Sequence, residues 1–168
     1  MTDDVLKELS TTGYGPVTLE DRGEGVYTAM AAGHEVAASL DGPALRFRAT
    51  VEAPWPSVEG SGQPYDPVAN ALEELAYYHR TDPVTIEGSP GSPLTITLWI
   101  PAADATPAAV AAAVLSTARI TTLAHSTLAD LGALLAVDAE DRATGAWMEA
   151  AGPTEVAETP PPPPPPES

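Results

Sequence analysis

Few side chains in this sequence could do chemistry, and their spacing limits what that chemistry is. The histidines are His34, His79 and His125, and they fall in three separate segments. A zinc or non-haem iron centre needs two ligands close in sequence or a recognisable scaffold. None of the three belongs to an HxH or HxxxH pair or has a carboxylate at metal spacing, so no metal site is expected. There is no GxSxG elbow to present a nucleophilic serine, and no cysteine for thiol catalysis, disulfides or a thiolate zinc site. Glu73 and Glu74 are adjacent; on a helix they point about 100° apart, a poor geometry for a shared acid/base pair, and a solvated face accounts for them better. The run Gly88-Ser89-Pro90-Gly91-Ser92 lacks the Lys and the strand-to-helix setting of a phosphate loop and reads as a hairpin turn. No catalytic residue and no cofactor is therefore expected. What is left is a set of contact residues: Trp55, Tyr77, Tyr78 and Trp99, with Thr95 and Thr97 beside Trp99. Exposed aromatics of this kind anchor protein interfaces; the alternative is that C-terminal helices cover them.

Composition restricts the partner. With 24 acids against seven bases in 168 residues, the net charge is −17 and the pI about 4.1. Such a surface repels nucleic acid and anionic lipid, and a basic partner, or none at all, is the natural inference. One Lys against six Arg, with abundant Ala, Gly and Pro, reads as the bias of a GC-rich bacterial genome; a salt-loving host would give the same acidity. Aromatics are only 5% of the chain, so the core is expected to use small aliphatic side chains. Residues 1–9 hold three acids and no basic start before a hydrophobic run, so no signal peptide is expected and the cytoplasm is the default compartment.

The elements that would position these residues follow from periodicity. Residues 3–12 read as a helix, with Asp3 and Asp4 in its first turn, Val5, Leu6 and Leu9 on one face, and Gly13 closing it. From 17 to 53 the period becomes two. Val26, Thr28 and Met30, then Val36, Ala38 and Leu40, then Leu45, Phe47, Ala49 and Val51 occupy alternate positions, with Arg46, Arg48, Thr50 and Glu52 on the wet face of the last strand. Turns at Ala32-Gly33 and Asp41-Gly42 make an antiparallel meander of up to three strands. After a Pro-rich loop over 54–64, Asp66-Pro67 starts a helix running to about Arg80, with Val68, Leu72, Leu75 and Ala76 inward and Glu73 and Glu74 outward. A hairpin follows, its arms at 84–88 and 94–100. In the second arm Leu94, Ile96, Leu98 and Ile100 face one way, and Thr95, Thr97 and Trp99 the other.

Thr106-Pro107 caps a second long apolar segment. Residues 106–137 carry only two charges, Arg119 and Asp130. At about 100° per residue, Val110, Val114 and Leu115 fall on one side, and Ile120, Leu123, Leu128, Leu131, Leu134 and Leu135 roughly opposite. The apolar face changes sides near Arg119, which predicts either one helix buried on two sides or two helices broken over 117–122. Its longest uncharged run, 105–118, is shorter than the roughly 18 residues of a membrane span, and its flanks lack basic anchors, so no membrane insertion is expected. Residues 138–151 read as a further short helix with Trp147 and Met148. From 152 to 168 the chain is Pro and acid, with Pro160 to Pro166 consecutive, and is expected to be a disordered tail of polyproline II character. The chain thus divides into an α+β domain over 1–137, a short helix over 138–151 and the tail.

This order of helix, meander, helix, hairpin, helix resembles the type III secretion chaperones (Tir-chaperone-like) and the related YbjN-like domains. The likeness is best over 72–115, where a helix leads into YYHRTDPVTIEGSPGSPLTITLWIPAADATPAAVAAAVL. It implies an antiparallel sheet of about five strands with an N-terminal helix, a middle helix and a C-terminal Ala-rich helix or helix pair on one face (α-βββ-α-ββ-α). It also implies a small, often dimeric, non-enzymatic protein that binds an extended segment of a client in hydrophobic grooves. The proline tail and the long Ala-rich region depart from that pattern. Two other readings stay open: a small ligand-binding or enzymatic domain with a pocket between sheet and helices, and a structural subunit that self-associates through the Ala-rich region.

Overall fold

The computed structural model describes residues 2–57, 66–78 and 83–151; the Pro-rich tail, His79, Arg80 and most of the loop before Asp66 lie outside them. The chain is α+β. The helix α1 (Thr2–Thr12) precedes four strands, β1 (Glu20–Gly23), β2 (Val26–Ala31), β3 (His34–Asp41) and β4 (Ala44–Val51). Next come α2 (Pro67–Tyr78), the hairpin β5 (Val84–Glu87) and β6 (Leu94–Pro101), and α3 (Pro107–Ala151). All strand pairs are antiparallel, in the order β1-β2-β3-β4-β6-β5. The sheet has six strands rather than about five. The extra one is β1, whose EDRG sequence is exposed at every position and has no apolar alternation to betray it.

Local signals place the elements as read. Asp66 Oδ1 accepts hydrogen bonds from the Val68 and Ala69 N–H groups (2.9 and 3.3 Å), and Thr106 Oγ1 accepts from Ala109 N–H (3.1 Å), so both cap-plus-Pro signals are helix starts. Ala32 and Gly33 both have positive φ (47° and 80°) and make the two-residue turn that fixes the β2–β3 register. That register decides which face of β2 is inside. Tyr27 and Ala29, paired with Ala38 and Val36, are buried, whereas Met30 is 64% exposed. The inward set is therefore opposite in phase to Val26, Thr28 and Met30. The physical reason is volume: the small Ala38 on β3 leaves room for the Tyr27 ring, a larger apolar gain than Thr28 would give.

The most consequential difference lies in α3, which is one helix from Pro107 to Ala151 with no break, so 138–151 is its continuation. Its buried positions include Val110, Val114, Thr117, Thr121, Ala124 and Leu128, three or four residues apart, and the half-buried Leu131 carries the spacing on to the buried Leu135. The stripe stays on one side. It looked as if it changed faces because its middle is made of Thr117, Ala118, Thr121 and Ala124, whereas Leu115 and Leu134 are 42% and 60% exposed. Thr117 and Thr121 tolerate full burial because each hydroxyl donates to the carbonyl four residues back, Ala113 O and Thr117 O, both at 2.8 Å. Small side chains let the helix lie close across β6, β4, β3 and β2, over the buried Phe47 of β4. By length and composition α3 could also cross a membrane, yet its stripe from Val110 to Leu128 is part of the core on the sheet.

Leu135 is the last buried residue of α3 among those whose side chains are described. The helix then continues for about 24 Å at 1.5 Å per residue, and Val137 and residues 139–145 are exposed. At the other end of the core, α1 buries Leu6 and Leu9. Burial, then the nearby Asp3 and Asp21 carboxylates, push the Tyr27 phenol above its ordinary pKa of 10.0.

Two outcomes follow. Ala124→Leu, which adds volume to the tightest part of the stripe, should lower the unfolding free energy by about 1–3 kcal/mol in denaturant titration; a neutral or stabilising result would refute close packing there. Because the folded chain keeps Tyr27 protonated to higher pH than the unfolded chain does, its contribution is full below pH 10.0 and declines as pH rises beyond it. Unfolding measured from pH 9 to 11.5 should show that decline, and Tyr27→Phe should flatten it.

Candidate functional site

Helices α1, α2 and α3 cover one face of the sheet, and strand pairing dictates what the other face displays. The β4–β6 register sets Arg46 beside Trp99, Arg48 beside Thr97 and Thr50 beside Thr95; β5 adds Thr85 beside Thr97 and Glu87 beside Thr95. Thr95 and Thr97 are nonetheless only 8% and 6% exposed. Short side chains on a strand between two neighbours are shaded by the longer ones beside them, here Arg48 and Glu87. Thr95 Oγ1 also lies 3.4 Å from Thr50 Oγ1. Trp99 is half-buried on this face, and its backbone N–H donates to Pro83 O.

The face gathers much of the chain's scarce positive charge. Arg22 on β1 pairs with Glu20 at 3.0 Å and Glu35 at 3.4 Å, and its Nε donates to Thr28 Oγ1 at 2.8 Å. Arg46 pairs with Asp41 at 3.3 Å. Arg48, in the middle, has no ion pair among the described residues. Arg22 sits in a shallow cavity of about 240 Å³ with Pro16, Thr18 and Met30; its guanidinium is already engaged by protein groups.

The structure divides the six sequence-nominated contact residues. Trp99, Thr95 and Thr97 come together on the open face. Trp55 belongs elsewhere: its indole N–H donates to Ser92 O at 2.7 Å, and its ring lies against Gly88 at the β5–β6 turn. It thus holds the preceding loop to the hairpin, and Pro56, next along, packs near Gly132 of α3. Tyr77 is 58% exposed at the end of α2, on the helix side, and the Tyr78 side chain lies outside the described residues. Of the histidines, His34 Nε2 is 3.0 Å from Thr122 Oγ1 and links β3 to α3, and His125 is exposed. Among the described residues no three His, Asp or Glu side chains converge to hold a metal.

A groove of about 540 Å³ lies between α2 and the edge strand β5, a pocket between sheet and helix whose residues were not singled out from the sequence. Ala69, Leu72 and Ala76 of α2 and Val84 and Ile86 of β5 line it, with Glu73 and Glu87 among its walls. Its size is within the range of ligand pockets, about 300–1,000 Å³. Alternation in VTIE does put Val84 and Ile86 on the core side. Their half-exposure depends on how α2 sits against β5, which no local pattern encodes.

No protein-family model matches this chain, and no curated protein matches it.

Gly88 is constrained by its contact with Trp55, since a Cβ there would lie 2.6 Å from Cζ2 of the indole and 3.0 Å from Pro93 O. Gly88→Ala should therefore destabilise the chain by about 1–3 kcal/mol and shift the Trp55 indole N–H resonance, identified by its loss in Trp55→Phe. An unmoved resonance would mean that the loop does not depend on this contact.

Proposed function

We propose that this chain is a non-enzymatic, chaperone-like module that binds a segment of a partner protein. The observation that carries the reading is the one-sided covering of the sheet. Among the described residues three helices pack on one face, while the other presents Trp99 with Arg46 and Arg48 to whatever approaches. A sheet with one bare face and free edges can recruit an extended chain through main-chain hydrogen bonds and side-chain contacts together. Support also comes from the order of helix, strands, helix, hairpin and helix, which is the order implied by the resemblance to the type III secretion chaperones and YbjN-like domains; β1 and the extended end of α3 are additions to it. The charge of −17 disfavours nucleic acid as the partner. The core role of α3 disfavours membrane insertion, and the cytoplasm is the compartment proposed.

Exposed Leu134 and Val137 near the projecting end of α3 favour a second reading, self-association through that helix. Light scattering at tens of micromolar reads it directly: a monomer removes it, and a dimer abolished by Leu134→Glu sustains it.

For the main reading, a random peptide library should be selected on the folded full-length chain. Enriched peptides are expected to bind with Kd tighter than about 100 µM and to lose binding when the chain is thermally unfolded. If nothing is enriched beyond what an unrelated protein of equal charge retains, the segment-binding reading fails.

A further inference from the structure

Three aromatic residues stand on the strands, and two of them, Tyr27 and Phe47, are in the core. The third, Trp99, is half-buried on the uncovered face, and strand register puts Arg46 directly beside it and Arg48 beside Thr97. Neighbouring strands lie about 4.8 Å apart, so both guanidinium groups reach whatever rests on the indole. Arg46 meets Asp41 at 3.3 Å, an exposed pair that solvent keeps weak. Arg48 has no ion pair among the described residues. In a chain of net charge −17, this combination of indole and arginines suits an occupant that carries stacking rings and carboxylates.

The chain contains such a segment. Residues 152–168 hold the run Pro160 to Pro166, the acids Glu155, Glu158 and Glu167, and no base. Proline runs dock on aromatic side chains at low entropic cost, because their backbone is already fixed. At about 3.1 Å per residue, Glu158 stands about 6 Å before the run and Glu167 about 3 Å after it. With the first or last prolines on Trp99, the adjoining carboxylate comes to Arg46 or Arg48.

Reach decides which molecule supplies the run. Helix α3 covers about 66 Å from Pro107 to Ala151. Trp99 precedes Pro107 by eight residues, where β6 turns through Ala102–Asp104 into the helix, so it lies at the opposite end of α3 from Ala151. It also faces away from the helices. The twelve residues from Ala151 to Pro163 extend only about 37 Å in the polyproline II form. That is too short to bring the middle of the run round to the Trp99 of the same chain. The face of another molecule carries no such constraint.

We propose that the Trp99 face takes the Pro160–Pro166 run of a second copy of this chain, through stacking on the indole and contact of Glu158 or Glu167 with Arg46 and Arg48. The contact joins the tail of one molecule to the face of the next, and is therefore heterologous. It goes beyond the segment-binding reading, since the occupant is the chain's own tail. Where both hold, tail and partner compete for Trp99.

The test uses the full-length chain and a fluorescent peptide with the sequence of residues 152–168. Anisotropy should show binding with Kd tighter than about 300 µM. A control peptide with each of Pro160 to Pro166 changed to Ser should bind about tenfold or more weakly. Trp99→Ala should cost about tenfold or more. Should that variant fail to fold, Arg46→Gln with Arg48→Gln keeps the indole and should weaken the peptide about threefold to tenfold while flattening its salt dependence. Sedimentation of the chain alone should show a mass rising above 17.3 kDa with concentration, a rise removed by Trp99→Ala and kept in Leu134→Glu. No binding of the tail peptide, equal binding of the two peptides, or insensitivity to both face variants would overturn the proposal. A peptide that binds only after Pro160 to Pro166 are changed to Ser in the chain itself would place the run on its own molecule and overturn the assignment to a second copy. If library-selected peptides bind while the tail peptide does not, this proposal falls and the segment-binding reading stands; the reverse result sinks that reading and leaves the tail contact.

Discussion

The fold depends on how closely one helix can approach a sheet. Across the middle of α3 four small residues, Thr117, Ala118, Thr121 and Ala124, are fully buried. None is large enough to hold the layers apart. Most of the bulk needed to fill the core comes from the sheet, from Phe47, Leu45, Ile96 and Leu98, and from Leu6 and Leu9 of α1, with Ile120 and Leu128 the large side chains that α3 adds. Division into a small-residue helix and a large-residue sheet explains how a chain with one Phe builds a continuous core. It also requires the two threonines to satisfy their own hydroxyls within the helix, since a free hydroxyl there would cost about 1–3 kcal/mol.

The same division explains what could and could not be read from the residues. Strands β4 and β6 were legible because their inward positions are mostly large and apolar and their outward ones mostly polar, and β3 kept the alternation through Val36 and Ala38, although Leu40, read in phase with them, is 51% exposed. Helix starts were legible because Asp66 and Thr106 each precede a proline. The course of α3 was not. Its sheet-facing stripe is small in the middle while Leu115 and Leu134 are exposed, so the distribution of large apolar residues suggested a change of face that the helix does not make. In β2 the inward set is Tyr27, Ala29 and Ala31, and only pairing with Ala38 shows why. β1 owes its existence to β2 and to the Arg22 network rather than to its own composition. For the candidate surfaces, alternation in β6 was enough to bring Trp99, Thr95 and Thr97 to one face, whereas the role of Trp55 depended on Gly88 and Ser92, remote from it in sequence.

Electrostatics organises the surface at two scales. Over the whole molecule, acid dominates. Locally, Arg22, Arg46 and Arg48 stand on the uncovered sheet face, where the first two are neutralised by Glu20, Glu35 and Asp41. The groove beside β5 is the reverse, apolar in its floor and acidic in its walls. The molecule thus presents two surfaces of different character within one sheet, separated by the width of β6 and β5.

The projecting end of α3 acts as a spacer. About 24 Å of helix separates its last core residue, Leu135, from the point where the Pro-rich acidic segment is attached. That is about three Debye lengths at physiological ionic strength, where the screening distance is about 8 Å. Charge at the attachment point is therefore screened from the sheet. The domain and whatever follows Ala151 can each meet a partner under its own local field, and only a chain that folds back along the helix would couple them.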